Sequence, residues 1–314
     1  MTESDQTGLT PRYWSLCGPT GSGKSALAMR LAHLFDAELI NCDSVQFYRH
    51  LNIGAAKPSA EEMRQVPHHL VNILNPDEDF DASQFAEKAR AVIIDVASRG
   101  KLPIVVGGSG LYLRFLQGRG FHDLPHNPEL RASLNKLSSD VLYQQLQQCD
   151  PQRAGDLHPN DKVRISRALE LHQLTGQTFS EYSAGPAPVS FPAELNLYLK
   201  LSREVLHQRI EQRTDQMLLQ GLVDEVSHIL SLGYRGDLKP LQSIGYKQVV
   251  LFLEGKLPKA ELRNRILFAT RQYAKRQCTW FNKSPDFLSL DVIPESDTDL
   301  EQLINNLPGD SKML

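Results

Sequence analysis

The sequence has few cysteines and no long apolar run, and these absences exclude several classes of protein. Its four cysteines form no C-x-x-C pair, so we expect reduced thiols rather than a disulfide scaffold or a zinc site. No apolar run is longer than Val249–Leu253, whereas a membrane-spanning helix needs about 20 apolar residues. Residues 1–11 are polar, so we expect no secretory signal. These features predict a cytoplasmic protein without a membrane segment.

The chain also lacks a strong excess of charge of either sign. Its 34 Lys and Arg residues face 37 Asp and Glu residues, for a formal net charge of −3. This balance excludes a globally basic nucleic-acid coat but leaves a local basic surface open. With 41% hydrophobic and 23% charged residues, the composition is that of an ordinary globular protein. The length of 314 residues fits about two domains of roughly 150 residues each.

The order of apolar segments predicts an α/β core. Strands are expected at Tyr13–Cys17, Glu38–Asn41 and Leu102–Val106, and helices between them over 25–35 and Ala82–Ser98. Alternating strands and helices with short connections are typical of a parallel β-sheet flanked by helices.

The middle of the chain follows a different pattern, because residues 118–188 contain no good strand candidate. Three helices are expected there, at Pro128–Leu137, Ser139–Gln148 and Asp161–Leu174. Asp161 is a candidate N-cap and Gly176 a candidate C-cap for the last of them. The sequence therefore predicts three regions: a discontinuous core over 1–117 and 191–292, an all-helical insertion over 118–190, and a polar, poorly ordered tail over 293–314.

A phosphate-binding loop lies between the first predicted strand and the first predicted helix. The motif G-x-x-x-x-G-K-[ST] is matched by Gly18, Pro19, Thr20, Gly21, Ser22, Gly23, Lys24 and Ser25. Such glycines let backbone N–H groups point at an anion, and the helix N-terminus adds a partial positive charge. Lys24 supplies a cation, and the Ser25 hydroxyl can ligate Mg²⁺ carried by the phosphate groups. The loop predicts a P-loop NTPase-like core that binds a polyphosphate or diphosphate, without specifying ATP.

A second metal-binding carboxylate, usual in NTPases and kinases, has no clear candidate. Asp95 lies within helical periodicity, which favours an ordinary surface carboxylate, and the strand ending at Val106 is followed by Gly107-Gly108-Ser109. Asp43 follows the second predicted strand, where ligands bind in open α/β sheets. Its alternative role is to cap a loop together with Ser44. His68-His69 has no third ligand nearby, so we interpret the pair as part of a loop.

The C-terminal stretch Leu262–Pro285 combines six basic residues and no acid with interleaved aromatic rings. Cations that neutralise phosphates, together with rings that stack on bases, are typical of single-stranded or looped RNA binding. A solvated basic helix face with its aromatics in the core is the alternative. Two further basic clusters favour the RNA interpretation: Lys162, Arg164 and Arg167, and Arg203, Arg209 and Arg213.

Nine short blocks between Trp14 and Phe281 carry a specific resemblance. They are Gly18–Ser25, Asp43–Tyr48, Ile53–Pro58, Pro67–Leu70, Gly107–Tyr112, His158–Asp161, Arg164–Arg167, Ile244–Lys247 and Tyr273–Trp280. A phosphate loop alone is common, but this series in this order closely resembles the bacterial tRNA dimethylallyltransferases, also called tRNA isopentenyltransferases.

The resemblance implies transfer of a dimethylallyl group from dimethylallyl diphosphate to tRNA. The acceptor would be N6 of the adenosine immediately 3′ of the anticodon, in tRNAs that read codons beginning with U. The loop would then cradle the diphosphate leaving group with Mg²⁺, which explains the missing second acid. Two alternatives stay open: a P-loop kinase acting on a small molecule or nucleoside phosphate, and a non-catalytic RNA-binding protein with a vestigial loop.

The family's functional positions imply roles for matching residues. Asp43 matches the general base, and Ser109 a second catalytic position. The implied tRNA contacts are Asp43, Ser44, Val45, Gln46, Ser109, Arg131, Val163, Arg164, Ile165, Ser166, Arg167, Gln242, Ser243, Ile244, Gly245, Tyr246, Lys247, Lys275, Arg276, Gln277, Cys278, Thr279, Trp280, Phe281 and Asn282. The helical insertion would clasp the anticodon stem-loop, and we expect a monomer without an obligate protein partner. Ala55 and Ser109 depart from the family, which often has Thr at both positions.

Overall fold

The protein consists of two compact units. The computed structural model describes residues 11–119, 125–185 and 189–307. One unit comprises Met1–Gln117 with Phe191–Leu314, and the other comprises Gly118–Ser190. We call them the core unit and the insertion unit.

Six strands form one sheet in the core unit. They are β1 Trp14–Cys17, β2 Ala37–Asn41, β3 His68–His69, β4 Leu102–Gly107, β5 Leu195–Leu199 and β6 Leu288–Leu290. Their order is β3-β2-β4-β1-β5-β6, and every neighbouring pair is parallel. The predicted parallel α/β sheet is confirmed. The interpretation of His68-His69 as a loop is wrong, because both residues pair with β2; a strand of two residues is too short to show a period.

The first half of the core supplies helices to both faces of this sheet. They are α1 Lys24–Leu34, α2 Ala60–Gln65, α3 Ala82–Ser98 and α4 Gly110–Leu116. Alternation along the strands divides the apolar side chains between two clusters. Ile104 packs in the cluster that contains residues of α1, whereas Val105 packs with residues of α3. Asp81 begins α3 with a capping box that includes Gln84, which explains why the predicted bounds of this helix are correct.

Every regular element in the described part of the insertion unit is a helix. Its helices are α5 Pro128–Leu134, α6 Ser139–Cys149, α7 Pro151–Asp156, α8 Lys162–Thr175 and α9 Phe179–Ser183. Leu142 and Leu146 pack against Ile165 in a core belonging to this unit. The Asp161 side chain accepts from the Arg164 N–H (3.2 Å) at the start of α8, and Gly176 ends the helix at φ 75°, as predicted.

The remaining helices return to the core unit. They are α10 Arg203–Leu219, α11 Leu222–Ser231, a 3₁₀ turn at Lys239–Gln242, α12 Tyr246–Leu253, α13 Lys259–Asn282 and α14 Asp297–Asn305. Helix α14 corrects the expectation of a poorly ordered tail over its own length. Leu300 and Ile304, one turn apart, are buried in the cluster that contains residues of α1, and Arg30 donates to Asp297 (2.8 Å). Residues 308–314 of the predicted tail lie outside the described residues.

The sheet register brings three loops together at the carboxyl ends of the strands. Cys17, the last residue of β1, pairs with Gly107 of β4, and Asn41, the last residue of β2, pairs with Val106. The fit is tight, because a Cβ on Gly107 would lie 2.2 Å from the carbonyl oxygen of Cys42. The segments that follow β1, β2 and β4 therefore adjoin one another.

Candidate active site

The phosphate loop has the backbone conformation that its glycines predict. Gly21 and Gly23 lie at φ 81° and 91°, the left-handed region that favours glycine. Gly23 is the N-cap of α1, and no side chain caps this helix end, so its first N–H groups are free to face an anion. The Ser22 hydroxyl is buried and has no hydrogen-bond partner among the residues described. This unsatisfied hydroxyl fits a phosphate oxygen as its partner.

Two basic side chains, one from α1 and one from α10, donate hydrogen bonds to carbonyl groups of this loop. Lys24 donates to the Pro19 carbonyl (3.2 Å), so its ammonium group lies over the loop. Arg209 of α10 donates to the Ser22 carbonyl (2.8 Å) and thereby holds the loop against α10. The sequence placed Arg209 only in a basic cluster that favours RNA binding, without a role at this loop.

Asp43 and Arg213 complete a charged group around Lys24. Burial lowers the pKa of Lys24 to about 8, the Asp43 carboxylate acts in the opposite direction, and the Arg213 guanidinium lowers this pKa further. Burial also lowers the pKa of Arg213, and Asp43 again opposes the effect. Arg213, on α10, is thus a site residue, whereas the sequence placed it only in a basic cluster that favours RNA binding. With two cations and one carboxylate, this group carries a positive charge suited to an anionic ligand.

Asp43 is held by its neighbours at the end of β2. Its N–H donates to Asn41 Oδ1 (2.9 Å), and its Oδ1 accepts from the Val45 N–H (2.9 Å). The Asn41 side chain in turn donates to the Leu70 carbonyl (3.0 Å). The Asp43 side chain is half-buried. The loop-capping role considered from the sequence is therefore present, and it engages one carboxylate oxygen.

Helix α13 contacts the turn after β4 through Tyr273 and Gln277. Burial raises the pKa of Tyr273 well above its usual range, Asp43 raises it further, and a hydrogen bond with the Ser109 side chain opposes both effects. Gln277 accepts from the Thr20 N–H (2.9 Å) and donates to the Gly108 carbonyl (2.9 Å). One helix therefore touches the phosphate loop and the segment that carries Ser109.

The next turn of α13 places the Trp280 ring against Gly110, at the start of α4. A Cβ on Gly110 would lie 2.5 Å from the Trp280 ring, so only glycine allows this approach. Trp280 packs edge to face on Phe281 (4.7 Å between ring centroids) and on Phe287 (6.2 Å). The alternative considered for the aromatic residues of this stretch, packing into the core, applies to Phe281, which is 2% exposed.

A cavity of about 550 Å³ adjoins the charged group formed by Lys24, Asp43 and Arg213. Arg213 lines it together with Met63, Met217 and Lys57. Lys57 donates to Asn72 Oδ1 (2.5 Å), and burial lowers its pKa to about 8 against the opposing effect of a carboxylate. Arg213 is therefore shared between the cavity and the charged group around Lys24.

A half-buried carboxylate organises a loop that lines this cavity. Glu225 of α11 accepts from the N–H groups of Asn52 (2.9 Å) and Ile53 (2.8 Å). It also accepts from the Tyr246 hydroxyl (2.7 Å), which itself accepts from the Ala55 N–H (3.1 Å). Ala55, one of the two departures noted in the sequence, thus contributes through its backbone.

The residues expected to contact RNA differ sharply in exposure. In the core unit the exposed ones are Gln242, Lys247, Lys275, Arg276, Thr279 and Asn282. Ser44, Val45, Gln46, Ser109, Ser243, Ile244, Cys278 and Trp280 are half-buried. The side chains of Tyr246, Gln277 and Phe281 are at most 6% exposed, and Gly245 is also buried. These buried side chains pack inside the protein, and RNA contact at their positions stays a prediction.

The insertion unit shows the same division along α8. Ile165 and Ser166 are at most 2% exposed, whereas Val163 is 80% exposed. RNA contact at these positions stays a prediction. Arg131 and Arg167 both pair with the fully buried Glu170 (2.7 and 2.6 Å). The remaining residues expected there are exposed (Arg164) or half-buried (Arg167).

Two sequence candidates for metal binding are ordinary structural residues. Asp95 lies on α3 and pairs with Arg99 (3.1 Å), as expected for a surface carboxylate. Arg99 also pairs with Glu38, which accepts from His69 (2.7 Å). Within the described ranges, no group of three or more His, Cys, Asp or Glu side chains is arranged to hold a metal ion. No helix there is long and apolar enough to cross a membrane.

The comparison with known families decides the classification. The sequence model of the family described as "IPP transferase" matches residues 46–284. The chain belongs to the IPP transferase family. It is 46% identical over 279 residues to tRNA dimethylallyltransferase 1 of Citrifermentans bemidjiense, and the matched segment covers 88% of this chain and 90% of that protein. It is also 46% identical over 283 residues to tRNA dimethylallyltransferase 1 of Trichlorobacter lovleyi, covering 88% of this chain and 92% of that protein.

Solved structures of IPP transferases share the fold. The full-length tRNA isopentenylpyrophosphate transferase of Bacillus halodurans has a TM-score of 0.70 at 34% identity, over 94% of this chain and 95% of that one. A eukaryotic dimethylallyltransferase acting on tRNA has a TM-score of 0.78 at 32% identity, over 94% of this chain and 77% of that one. The resemblance stated from the sequence motifs is thus confirmed, and so are the P-loop-like fold and the enzyme class, a prenyltransferase that acts on tRNA.

Proposed function

We propose that this IPP transferase moves a dimethylallyl group from dimethylallyl diphosphate to N6 of the adenosine immediately 3′ of the anticodon. Its substrates would be tRNAs that read codons beginning with U, and diphosphate would be released. The observation that carries the proposal is the juxtaposition of a phosphate loop and a carboxylate. Lys24 follows β1 and Asp43 follows β2, the two strands that flank β4 in the sheet, and the charge of Asp43 acts on Lys24 and Arg213.

The donor side of the reaction separates charge. When the allylic C–O bond breaks, its electron pair goes to the diphosphate and positive charge develops on the dimethylallyl group. Lys24, Arg213 and the loop N–H groups favour the departing diphosphate, and such electrostatic stabilisation is usually the largest catalytic effect. Arg209 and the Ser22 backbone hold the loop in place before the reaction.

The donor set near Ser25 fits a magnesium ion that the diphosphate largely ligates. Ser25 is an exposed residue in the first turn of α1, and the unpartnered Ser22 hydroxyl lies in the phosphate loop that precedes this helix. Mg²⁺ bound by Ser25 and diphosphate oxygens would neutralise part of the leaving-group charge. Lys24 and Arg213 act on the same charge from the protein side.

The acceptor side requires a base, because the exocyclic amine of adenine is a weak nucleophile. As the N6–C bond forms, N6 loses a proton, and Asp43 is the carboxylate at the site that can accept it. One oxygen of Asp43 accepts from the Val45 N–H, and the other oxygen is proposed to accept the proton. Ser109, whose side chain forms a hydrogen bond with Tyr273, is proposed to contact the target adenine. The target adenosine must leave the base stack to reach these groups.

The RNA surface proposed for the core unit is the exposed part of the predicted set. It consists of Gln242, Lys247, Lys275, Arg276, Thr279 and Asn282. Arg131, Val163, Arg164 and Arg167 are proposed as contacts of the insertion unit, which we propose to clasp the anticodon stem-loop. The tRNA substrate and four free cysteines favour a cytoplasmic location, and the proposed reaction needs no second protein.

A binding and transfer experiment distinguishes this function from that of a P-loop kinase. Titration calorimetry with Mg²⁺ should show binding of dimethylallyl diphosphate that survives excess ATP. The bound donor should then be consumed only when an anticodon stem-loop is added. Binding of ATP alone, with phosphate transfer to a small acceptor, would contradict the proposal. A kinase is disfavoured because β4 ends at Gly107 and is followed by Gly108-Ser109, without a second acid.

A further inference from the structure

Gln277 is the one member of the predicted RNA-contact stretch whose side chain reaches the phosphate loop by hydrogen bonds in the described structure. Its Oε1 accepts from the Thr20 N–H (2.9 Å), and its Nε2 donates to the Gly108 carbonyl (2.9 Å). An amide can make this pair of bonds in only one orientation, because one end accepts and the other donates. The side chain is 6% exposed, so its polar atoms serve the protein interior.

The two backbone groups that Gln277 joins lie in the segments that follow two neighbouring strands. Thr20 lies in the loop after β1, and Gly108 lies in the turn after β4. The approach is close, because a Cβ on Gly108 would lie 2.2 Å from Gln277 Nε2 and 3.0 Å from the Gly18 carbonyl oxygen. Gln277 therefore fixes the separation between the phosphate loop and the segment that leads to Ser109.

We propose that Gln277 is a positioning residue for the donor, which sets the phosphate-loop backbone for the diphosphate, and that it is not an RNA contact. The inference rests on the proposed function and adds to it that hydrogen bonds from Gln277 hold the phosphate-loop backbone in its conformation. The Thr20 N–H is used by Gln277, so this peptide is held in one orientation while the neighbouring N–H groups face the ligand. Loss of the amide frees the Thr20 peptide and the Gly108 carbonyl together.

The test compares Gln277→Met with Gln272→Met, the same substitution at an exposed position on the same helix. Donor and RNA dissociation constants are measured separately, by calorimetry with dimethylallyl diphosphate and by titration with an anticodon stem-loop. Gln277→Met should weaken donor binding by about tenfold or more, because two buried hydrogen bonds are lost. RNA binding should change by less than about twofold for both variants. Weaker RNA binding with unchanged donor binding, or no change in either, would overturn the inference.

A second variant keeps the test decisive where Gln277→Met does not fold. In Gln277→Glu a carboxylate can still accept from the Thr20 N–H but repels the Gly108 carbonyl, whereas the protonated acid can donate to it. The donor affinity of Gln277→Glu, divided by that of the wild type at the same pH, should therefore rise as the pH falls. A ratio independent of pH would contradict the positioning role. If the wild type itself does not bind the donor, the proposed function fails as well, and the two failures are thereby distinguished.

Discussion

Asp43 donates its backbone N–H to the side-chain oxygen of Asn41 at 2.9 Å. This contact ties the proposed base to the last residue of β2, whose register with β4 is fixed by the sheet. The Asn41 side chain is itself held by the Leu70 carbonyl. A rigid strand end therefore determines where the carboxylate lies, which is how catalytic groups are usually kept within about half an ångström of their working position.

Replacing Asp43 by Asn should lower the rate of transfer without removing donor binding. The Asn side chain can still accept from the Val45 N–H, but it cannot accept the N6 proton, and loss of a general base costs about 10²–10⁴-fold. Single-turnover kinetics with saturating donor measure the effect. Asp95→Asn, an exposed carboxylate on α3, is the matched control and should react at the wild-type rate. An Asp43→Asn rate within about twofold of the wild type would exclude Asp43 as the base.

Donor binding should weaken at alkaline pH because of Lys24. Burial lowers the pKa of the Lys24 ammonium to about 8 in the free protein. The diphosphate favours the protonated form and raises this pKa in the complex. Binding is therefore at full strength below pH 8 and weakens above it, by at most about tenfold per pH unit.

Calorimetry at pH 8.5 in two buffers of different ionisation enthalpy detects the proton taken up on binding. The Lys24→Ala variant, which binds the donor weakly, should take up less. Lys101→Ala, at the residue before β4, serves as the control and should match the wild type. Proton uptake unchanged by Lys24→Ala would assign it to another group.

The outer face of α13 should contribute to RNA binding through its charge. Lys275 and Arg276 are exposed, and each phosphate contact contributes about 0.7–0.9 to the slope of log K against log salt concentration. The double variant Lys275→Ala/Arg276→Ala should reduce this slope by about 1.4–1.8. The double variant Arg64→Ala/Lys101→Ala removes two charges that are ion-paired elsewhere and should leave the slope unchanged. Equal slopes for all three proteins would place RNA binding away from α13.

Tyr246 should matter for stability rather than for RNA contact. Its buried hydroxyl donates to Glu225 and accepts from the Ala55 N–H, so Tyr246→Phe leaves a buried N–H without this partner. The expected loss is about 1–3 kcal/mol in the free energy of unfolding, measured by urea denaturation. Tyr234→Phe, in which the ring packs near His50 (6.1 Å between centroids), is the control. Unchanged stability together with weaker RNA binding would restore Tyr246 as an RNA contact.

The sequence predicted the elements whose signals are local. Helix α3 has a capping box and a regular apolar face, so its bounds, Ala82–Ser98, are correct. The phosphate loop follows from its motif alone. Strand β3 has two residues and β6 has three, and neither is long enough to show a period. Helix α14 was missed because only two of its side chains are buried.

The site residues that the sequence missed act through contacts between distant segments. Arg213 is one of several arginines on α10, and only the fold brings it to Asp43 and Lys24. Gln277 was assigned to the RNA because it lies in the stretch Lys275–Asn282, which matches the family's tRNA-contact positions. The helix period places its side chain on the opposite face, where the phosphate loop lies. A helical projection of α13 was the available signal, since buried Ala274 and Phe281 mark the inner face.

The most direct test of the account follows the label from donor to base. Purified protein is mixed with Mg²⁺, dimethylallyl diphosphate labelled in its allyl group, and an anticodon stem-loop that has adenosine 3′ of the anticodon. We predict that label enters the RNA in a single turnover, and that nuclease digestion recovers it on N6 of that adenosine. A stem-loop with guanosine at this position should stay unlabelled. Label absent from the adenosine, or equal in both stem-loops, would contradict the proposed reaction.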